Sequence, residues 1–229
     1  MESSPVEDAF AQWQNALLNL LNSPQRVLAW QDRRYHFAHQ IGQLLSNPSK
    51  TGADPVTGHV VYGVYVSGAG LLYVGQTGDA RRRLRDLPVG ESHHVAGTVP
   101  PETWERIVLV EWPKLLTSIS APEKAAAEQA GRQVCGLAME YLLQVTYHPV
   151  MAGRRRTGTG QWVERNLDRS QSRGAISSGQ FPELFGALRA AWDRLAQIPD
   201  AEPVAYLPTG RAIFPRLLLP AEPTATCVS

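Results

Sequence analysis

The chain has 229 residues, of which 43% are apolar, and its formal net charge is +1. A chain of this length and apolar content can bury a substantial core, which excludes a disordered protein. No apolar run reaches the roughly 18 residues of a membrane-spanning helix, and the acidic N-terminus differs from the basic start of a signal peptide. The two cysteines lack the spacing of zinc ligands. We therefore expect a cytoplasmic protein with reduced cysteines that does not bind membranes.

The N-terminal segment carries two helix signals. Ser4-Pro5-Val6-Glu7 is a capping-box pattern that predicts a first amphipathic helix. Ser23-Pro24 opens a second helix in the same way, and Asn47-Pro48 ends it. The polar stretch 49–57 then reads as a linker because it contains Gly and Pro. Residues 1–56 are therefore predicted to form a helical hairpin that packs on the following domain.

Residues 59–87 predict a β-hairpin that leads into a helix. Two β-rich runs, residues 60–66 and 71–75, are joined by a small turn that contains two glycines. Tyr65 and Tyr73 occupy corresponding places in the two strands, and Arg83 comes about one turn into the helix. We expect these two phenols and the guanidinium to share one surface. Because side chains alternate between the two faces of a strand, Tyr62 is expected on the face opposite to Tyr65, and we assign it to packing.

The next elements complete a small core. Residues 106–112 predict a third strand, after a loop that contains His93 and His94. A second capping-box pattern at Ser120 and Glu123 opens a helix that is expected to run to about residue 146. The order β-β-α-β-α predicts an α+β fold over residues 57–153, with a small three-stranded antiparallel sheet flanked by helices and with helical extensions at both ends.

Residues 154–229 are predicted to form a basic loop, an amphipathic helix that begins near Phe181-Pro182, and a Pro-rich tail. Between positions 141 and 173, six arginines stand against two acidic residues. A second basic run, in the helix that carries Arg83, lies on the other side of the candidate site. One such run would indicate only a solvated face, whereas two runs that flank one site favour an anionic partner.

Two triplets, Gly63-Val64-Tyr65 and Tyr73-Val74-Gly75, resemble the halves of the signature that names the GIY-YIG nuclease superfamily. Arg83 follows the second Tyr by 10 residues, as in that family. Glu140, followed by Tyr147-His148-Pro149, resembles the family's helical Glu and its aromatic-x-Pro element. The resemblance implies an endonuclease that depends on Mg²⁺ or Mn²⁺ and hydrolyses phosphodiester bonds, with double-stranded DNA as the partner.

The resemblance also implies roles for the site residues. Glu140 would be the metal ligand, and one of Tyr65 and Tyr73 would accept a proton from water while the other orients it. Arg83 suits the phosphate, because a guanidinium holds two phosphate oxygens and is always charged. Glu140 lies on an apolar helix face, where a carboxylate needs a partner; this partner is either a divalent cation or an arginine.

Residues of both basic runs are expected to contact DNA. Trp162 either inserts among bases or anchors its loop on the core, and the sequence leaves both readings open. The expected DNA contacts are Arg81, Arg82, Arg85, Arg154, Arg155, Arg156, Trp162, Arg165 and Asn166.

The sequence departs from the family pattern at two positions. Leu87 stands where many members have His or Tyr, and Ala152 stands where members often have Asn. We expect His93 or His94 to replace the former and Asn166 the latter. A restriction or defence nuclease is favoured because no zinc-bearing or hairpin-repeat domain is visible. The alternatives are a catalytically idle DNA-binding module and a structure-specific repair nuclease, and cutting at a twofold site would need a homodimer or two successive nicks.

Overall fold

A computed structural model describes residues 11, 14, 15, 18, 23–46, 54–90, 95–152, 154–156, 158–159 and 161–218. The helices are α1 (Pro24–Ser46), α2 (Ala80–Asp86), α3 (Val95–Thr98), α4 (Ala121–Ala130), α5 (Arg132–Tyr147), α6 (Arg173–Ser177), α7 (Pro182–Gln197) and α8 (Pro215–Leu218). The strands are β1 (Val60–Val66), β2 (Gly70–Thr77), β3 (Trp104–Val110), β4 (Arg154–Arg156), β5 (Trp162–Glu164), β6 (Val204–Leu207) and β7 (Gly210–Ile213).

The main sheet is antiparallel and has five strands in the order β2-β1-β3-β7-β6. The predicted α+β class is confirmed, and β2, β1 and β3 are the three strands that the sequence indicates. The prediction of only three strands is wrong, because β7 pairs with β3 from Ile107↔Ile213 to Val110↔Gly210 and β6 pairs with β7. Both added strands have four residues and lie in a Pro-rich segment. So short a run does not establish an alternating pattern.

Helices cover both faces of this sheet. On one face, Phe37 and Ile41 of α1 and Leu84 of α2 are fully buried against alternate residues of β1. On the other face, Met139 of α5 and Trp192 of α7 pack on the remaining strand residues. This alternation gives the chain two apolar clusters with the sheet between them. The segment after residue 154 therefore contributes strands and a helix to the same sheet as the residues before it.

Helix α1 agrees with the predicted second helix in its start and its end. Its apolar stripe is buried only in the C-terminal half, since Phe37 is fully buried whereas Val27 is 42% exposed. The predicted first helix falls mostly outside the described residues. Arg211 of β7 ties the end of α1 to the sheet by donating to the carbonyl oxygens of Leu44, at 2.9 Å, and Asp54. Within the described ranges, no helix combines the length and the apolar character that a bilayer span requires.

The predicted helix from Ser120 to about residue 146 is interrupted. Gly131 separates α4 from α5 and has a φ of +81°, a conformation that favours glycine. The helical periodicity continues across the break, so the pattern alone did not reveal it. The break lets α5 follow its own direction along β2, which brings Glu140 to the edge of the sheet.

Glu123 and Glu183 cap each other's helices, in place of the predicted capping box within α4. Glu123 accepts hydrogen bonds from the backbone N–H groups of Glu183, at 3.0 Å, and Leu184, at 2.7 Å. Glu183 in turn accepts from the backbone N–H and the hydroxyl of Ser120, both at 2.7 Å. The unpaired donors at the N-termini of α4 and α7 are thereby satisfied, and the two helix starts are held together.

Candidate active site at the edge of the sheet

Tyr62 and Tyr73 form a pair on one face of the β1–β2 hairpin. Tyr62 lies opposite Gly75 and Tyr73 lies opposite Val64, which makes the two tyrosines diagonal neighbours. Their ring centroids are 6.0 Å apart, and the Tyr62 hydroxyl donates a hydrogen bond to that of Tyr73. A Cβ atom on Gly75 would lie 2.7 Å from the Tyr73 hydroxyl oxygen and 2.9 Å from that of Tyr62. The absence of a side chain at Gly75 therefore makes room for this pair.

Tyr65 lies on the opposite face, so the prediction that it shares a surface with Tyr73 is wrong. Its hydroxyl accepts a hydrogen bond of 2.9 Å from the indole N–H of Trp192, and burial raises its pKa to about 12. Near the turn, Tyr65 pairs with Leu71. In a regular ladder, Leu71 and Tyr73 would share one face of the sheet, and Tyr65 would lie on that face too. A β-bulge at this point adds one residue to β2 and reverses the facing of every residue beyond it. Tyr62 consequently occupies the place assigned to Tyr65.

The Gly63-Val64-Tyr65 triplet contributes to packing under α7. A Cβ atom on Gly63 would lie 2.5 Å from the Trp192 ring, so glycine allows the indole to pack directly on β1. Tyr147 stacks on the same indole with a centroid separation of 6.2 Å. Gly63 and Tyr65 of the first half of the signature thus face α7, whereas Tyr73 and Gly75 of the second half face the candidate site.

Glu140 of α5 lies against the free edge of β2, which is an edge strand of the sheet. Its carboxylate accepts hydrogen bonds from the backbone N–H of Gln76 and, at 3.0 Å, from the side-chain amide of Gln144. The same amide donates to the carbonyl oxygen of Val74 at 3.4 Å. Glu140 and Gln144, which are one helical turn apart, thus form hydrogen bonds with backbone groups of β2 that would be unpaired in an edge strand. Gln144 is not among the residues predicted from the sequence, although its spacing of one helical turn from Glu140 was a usable signal.

Burial raises the pKa of Glu140 to about 7, against the opposing effects of Arg165, of the hydrogen bonds from Gln144 and Gln76, and of Arg83. Arg165 comes first among these opposing causes. A carboxyl group in this state is about half protonated at neutral pH, and a nearby cation would favour its ionised form. The sequence left open whether the partner of Glu140 is an arginine or a divalent cation. The surroundings of Glu140 are compatible with both.

Arg83 of α2 faces the same group of residues. Its charge lowers the pKa of Tyr62, Tyr73 and Glu140, whereas no such effect reaches Tyr65. Arg83 is half buried, whereas Arg81, Arg82 and Arg85 are exposed. Asp79 caps the helix by accepting from the Arg82 backbone N–H at 3.0 Å. The helix thus directs one of its four arginines towards the phenols and the carboxylate.

Both phenols of the site are protonated at neutral pH. Burial raises the pKa of Tyr73 to about 12, and that of Tyr62 well above its ordinary value. The charge of Glu140 adds to both increases, and Arg83 opposes them. The hydrogen bond from Tyr62 lowers the pKa of Tyr73, because it stabilises a phenolate at Tyr73.

A divalent cation fits this site if Glu140 is its carboxylate ligand and water or phosphate completes the coordination. Within the part of the chain that the structure describes, no three His, Cys, Asp or Glu side chains are grouped to form a metal cage. Mg²⁺ does not need such a cage, because it commonly binds one or two carboxylates and keeps water and substrate phosphates as its other ligands. Glu140, with the neighbouring phenol oxygens, offers a donor set of that kind for Mg²⁺ or Mn²⁺.

The structure describes the remaining predicted residues only in part. His93 and His94 lie outside the described residues. The predicted basic loop contains a short antiparallel hairpin, in which the backbone of Arg154–Arg156 pairs with that of Trp162–Glu164. Asn166 is exposed, and its side-chain oxygen accepts from the backbone N–H of Arg169 at 3.2 Å.

The two positions that depart from the family pattern are both buried. Leu87 is completely buried in the apolar cluster beneath α1, and Ala152 is 8% exposed. Neither side chain can donate or accept a proton. The proton transfer that the resemblance implies for the position of Leu87 would therefore need another residue.

Comparisons with family models, with curated proteins and with solved structures give no match. The resemblance to the GIY-YIG superfamily thus stays a prediction based on the residues themselves.

Proposed function

We propose that this protein is a metal-dependent endodeoxyribonuclease that hydrolyses phosphodiester bonds of double-stranded DNA. The observation that carries the proposal is the grouping of Tyr62, Tyr73, Arg83 and Glu140 at the edge of β2, with Gly75 beneath the two phenol oxygens. Phosphodiester hydrolysis requires a cation for the charge that develops on the phosphate, and groups that orient and deprotonate water. A guanidinium, a carboxylate and two phenols supply these chemical types together.

Each residue has a role that follows from its surroundings. Arg83 binds the non-bridging oxygens of the scissile phosphate, and Glu140 holds Mg²⁺ or Mn²⁺. The bound cation supplies Lewis-acid stabilisation and makes water more acidic. Tyr62 fixes the orientation of Tyr73 by donating to it, which leaves the Tyr73 hydroxyl to contact water or substrate.

Tyr73 is the candidate proton acceptor, and its protonation state depends on Glu140. The carboxylate charge raises the pKa of Tyr73, so neutralising that charge with a divalent cation removes this contribution. Arg83 acts in the same direction. With a pKa of about 12, the Tyr73 hydroxyl holds its own proton at neutral pH. It accepts a proton from water only after releasing its own to solvent, and positive charge beside it favours that release.

The proposed biological class is a cytoplasmic restriction or defence nuclease. The basic β4–β5 hairpin, directly followed by Arg165, is the element we assign to DNA contact, together with Arg81, Arg82 and Arg85 on the exposed side of α2. Phosphate contacts of this kind give affinity that falls steeply with salt. Cutting both strands at a twofold site would use a homodimer or two successive nicks.

One observation favours a different function, a DNA-binding module without activity. Leu87 is fully buried at the position where the family pattern places His or Tyr, one turn after Arg83. A site without that group has lost one candidate for proton transfer, and binding could persist without hydrolysis.

Plasmid nicking in Mg²⁺ or Mn²⁺ distinguishes these functions. The wild-type protein is compared with Glu140→Gln and Arg83→Ala. Arg194→Ala serves as the control, because Arg194 is exposed on α7, the helix that packs on the other face of the sheet. We expect nicking by the wild type and by Arg194→Ala, and a loss of at least about 100-fold in the two site variants. A wild-type protein that shifts DNA in a salt-dependent way but cuts none of it would establish the binding module. Variants that cut as well as the wild type would refute the site assignment.

A further inference from the structure

A cavity of about 350 Å³ lies beside Glu140 and has no role in the proposed chemistry. Its volume falls at the lower end of the roughly 300–1,000 Å³ that is typical of ligand sites. Its lining includes one cation, one carboxylate, an amide and an imidazole, together with apolar residues. We call it the Arg165 cavity, and the lining residues used below are His148, Pro149, Arg165, Asn166, Leu167 and Asp168.

The Arg165 cavity is attached to the helix that carries Glu140. The Tyr141 hydroxyl donates to the backbone carbonyl of Leu167 at 3.1 Å, and Tyr141 directly follows Glu140 in α5. The short turn Val150–Ala152, which contributes Ala152 to the cavity wall, packs against β2. The charge of Arg165 acts on Glu140. The cavity therefore lies at the same edge of the sheet as the candidate active site.

Two local features shape the cavity. His148 ends α5 in the left-handed conformation, with a φ of 47°, and among the described residues it is the only non-glycine residue with a positive φ. This conformation is unfavourable for any residue other than glycine. It turns the chain sharply after α5, and Pro149 then lines the cavity. The side-chain oxygen of Asn166 accepts from the Arg169 backbone, so the N–H₂ end of the amide is the end that can donate to a ligand.

We propose that the Arg165 cavity is a subsite for one nucleotide of the cut strand, next to the scissile phosphate. Arg165 binds the phosphate of that nucleotide through two N–H groups, as guanidinium groups do with phosphates. Asn166 donates to a ring acceptor of the base, and Asp168 accepts from an exocyclic amine. This proposal rests on the proposed nuclease function and adds a residue-level preference to it.

The donor and acceptor arrangement favours particular bases. When a base leaves its pair and its pairing edge is exposed, cytosine and adenine each present an amino group beside a ring acceptor, whereas thymine has no exocyclic amine for Asp168 to bind. We therefore expect a preference for cytosine or adenine over thymine at one position that flanks the cut. A good pair of base contacts discriminates by about tenfold or more.

Binding of mononucleotides tests the cavity without any need for cleavage. The probes are dCMP, dAMP, dTMP and inorganic phosphate, titrated into the full chain with Mg²⁺ and followed by NMR or calorimetry. We expect dCMP and dAMP to bind about tenfold more tightly than dTMP. Asp168→Ala is expected to remove this difference, because Asp168 is the residue assigned to the exocyclic amine. Arg165→Ala is expected to abolish binding of all four probes and Arg165→Lys to weaken it, whereas Arg169→Ala, an exposed arginine of the same segment, should leave binding unchanged.

A second measurement separates this proposal from the proposed function. DNA is cleaved with an abasic position placed at each nucleotide around the cut, by the wild type and by Asn166→Ala. One sensitive position in the wild type that is insensitive in Asn166→Ala supports the subsite. Equal binding of the nucleotides to the wild type and Arg165→Ala overturns the subsite, even if DNA is cut normally. Base-dependent nucleotide binding with no cleavage overturns the nuclease function and supports the cavity as a nucleotide site.

Discussion

The hydroxyl of Tyr62 donates a hydrogen bond to the hydroxyl of Tyr73, and both oxygens lie over the Cα atom of Gly75. The two tyrosines are 11 residues apart in sequence and sit on different strands. Their contact depends on the bulge in β2, which brings both side chains to one face. The candidate active site thus lies in the regular part of the hairpin, directly next to the bulge.

Replacing Gly75 by alanine should separate the two phenols. The new Cβ atom would lie less than 3 Å from both hydroxyl oxygens, so at least one ring must move. Because misplacement by about 1 Å can reduce catalysis about 100-fold, we expect a loss of that order in plasmid nicking. Gly58→Ala is the control, since a Cβ atom there would meet nothing within 4 Å. Wild-type nicking by Gly75→Ala would refute the assignment of these phenols to the site.

Removing single hydroxyl groups should distinguish the two faces of the hairpin. Tyr65→Phe leaves the indole N–H of Trp192 without its acceptor, so we expect the free energy of unfolding to fall by about 1 kcal/mol, with nicking unchanged. Tyr73→Phe is expected to abolish most nicking. Urea unfolding and plasmid nicking measure the two effects. A larger loss of nicking in Tyr65→Phe than in Tyr73→Phe would instead support Tyr65 as the catalytic tyrosine.

The carboxyl group of Glu140 should make stability depend on pH in the absence of a cation. The pKa of Glu140 is about 7 in the folded protein, against an ordinary value of 4.5 that we take for the unfolded chain. Between pH 4.5 and pH 7, the folded state therefore keeps a proton that the unfolded state has released. The unfolded state then binds fewer protons, and stability falls as pH rises from about 4.5 to about 7. The loss from this group can reach about 3 kcal/mol, since each pKa unit corresponds to about 1.4 kcal/mol.

Denaturant unfolding between pH 5 and pH 8 in EDTA checks this dependence. Glu140→Gln should remove this part of the slope and be more stable than the wild type at pH 8. Saturating Mg²⁺ should flatten the wild-type curve, because a cation favours the ionised carboxylate. Identical pH profiles for the wild type and Glu140→Gln in EDTA would contradict the raised pKa.

The reciprocal caps of α4 and α7 should contribute measurably to stability. Glu123 is 7% exposed and accepts two backbone hydrogen bonds, so Glu123→Ala should lower the free energy of unfolding by about 2 kcal/mol. The control is Glu128→Ala, because Glu128 is exposed on the same helix and its replacement should change stability by less than about 0.5 kcal/mol. Thermal and urea unfolding provide the measurement. Equal effects of the two replacements would show that the caps do not stabilise the helices.

Local patterns in the sequence determined much of this protein. The start and end of α1, the strands β1, β2 and β3, and the helical position of Glu140 follow from periodicity and capping residues within one segment. These features could be predicted because each depends on neighbours that are close in the chain. Arg83 was singled out by the family resemblance.

The tertiary structure decided which residues meet. Alternation in β1 shows that Tyr62 and Tyr65 face opposite ways, but only the bulge in β2 determines which of them meets Tyr73. In the same way, β7 becomes a strand by pairing with β3, and Gly131 becomes a break as α5 packs along β2. The physical reason is that strand register is set by packing on both faces of the sheet, and a shift of one residue exchanges the faces.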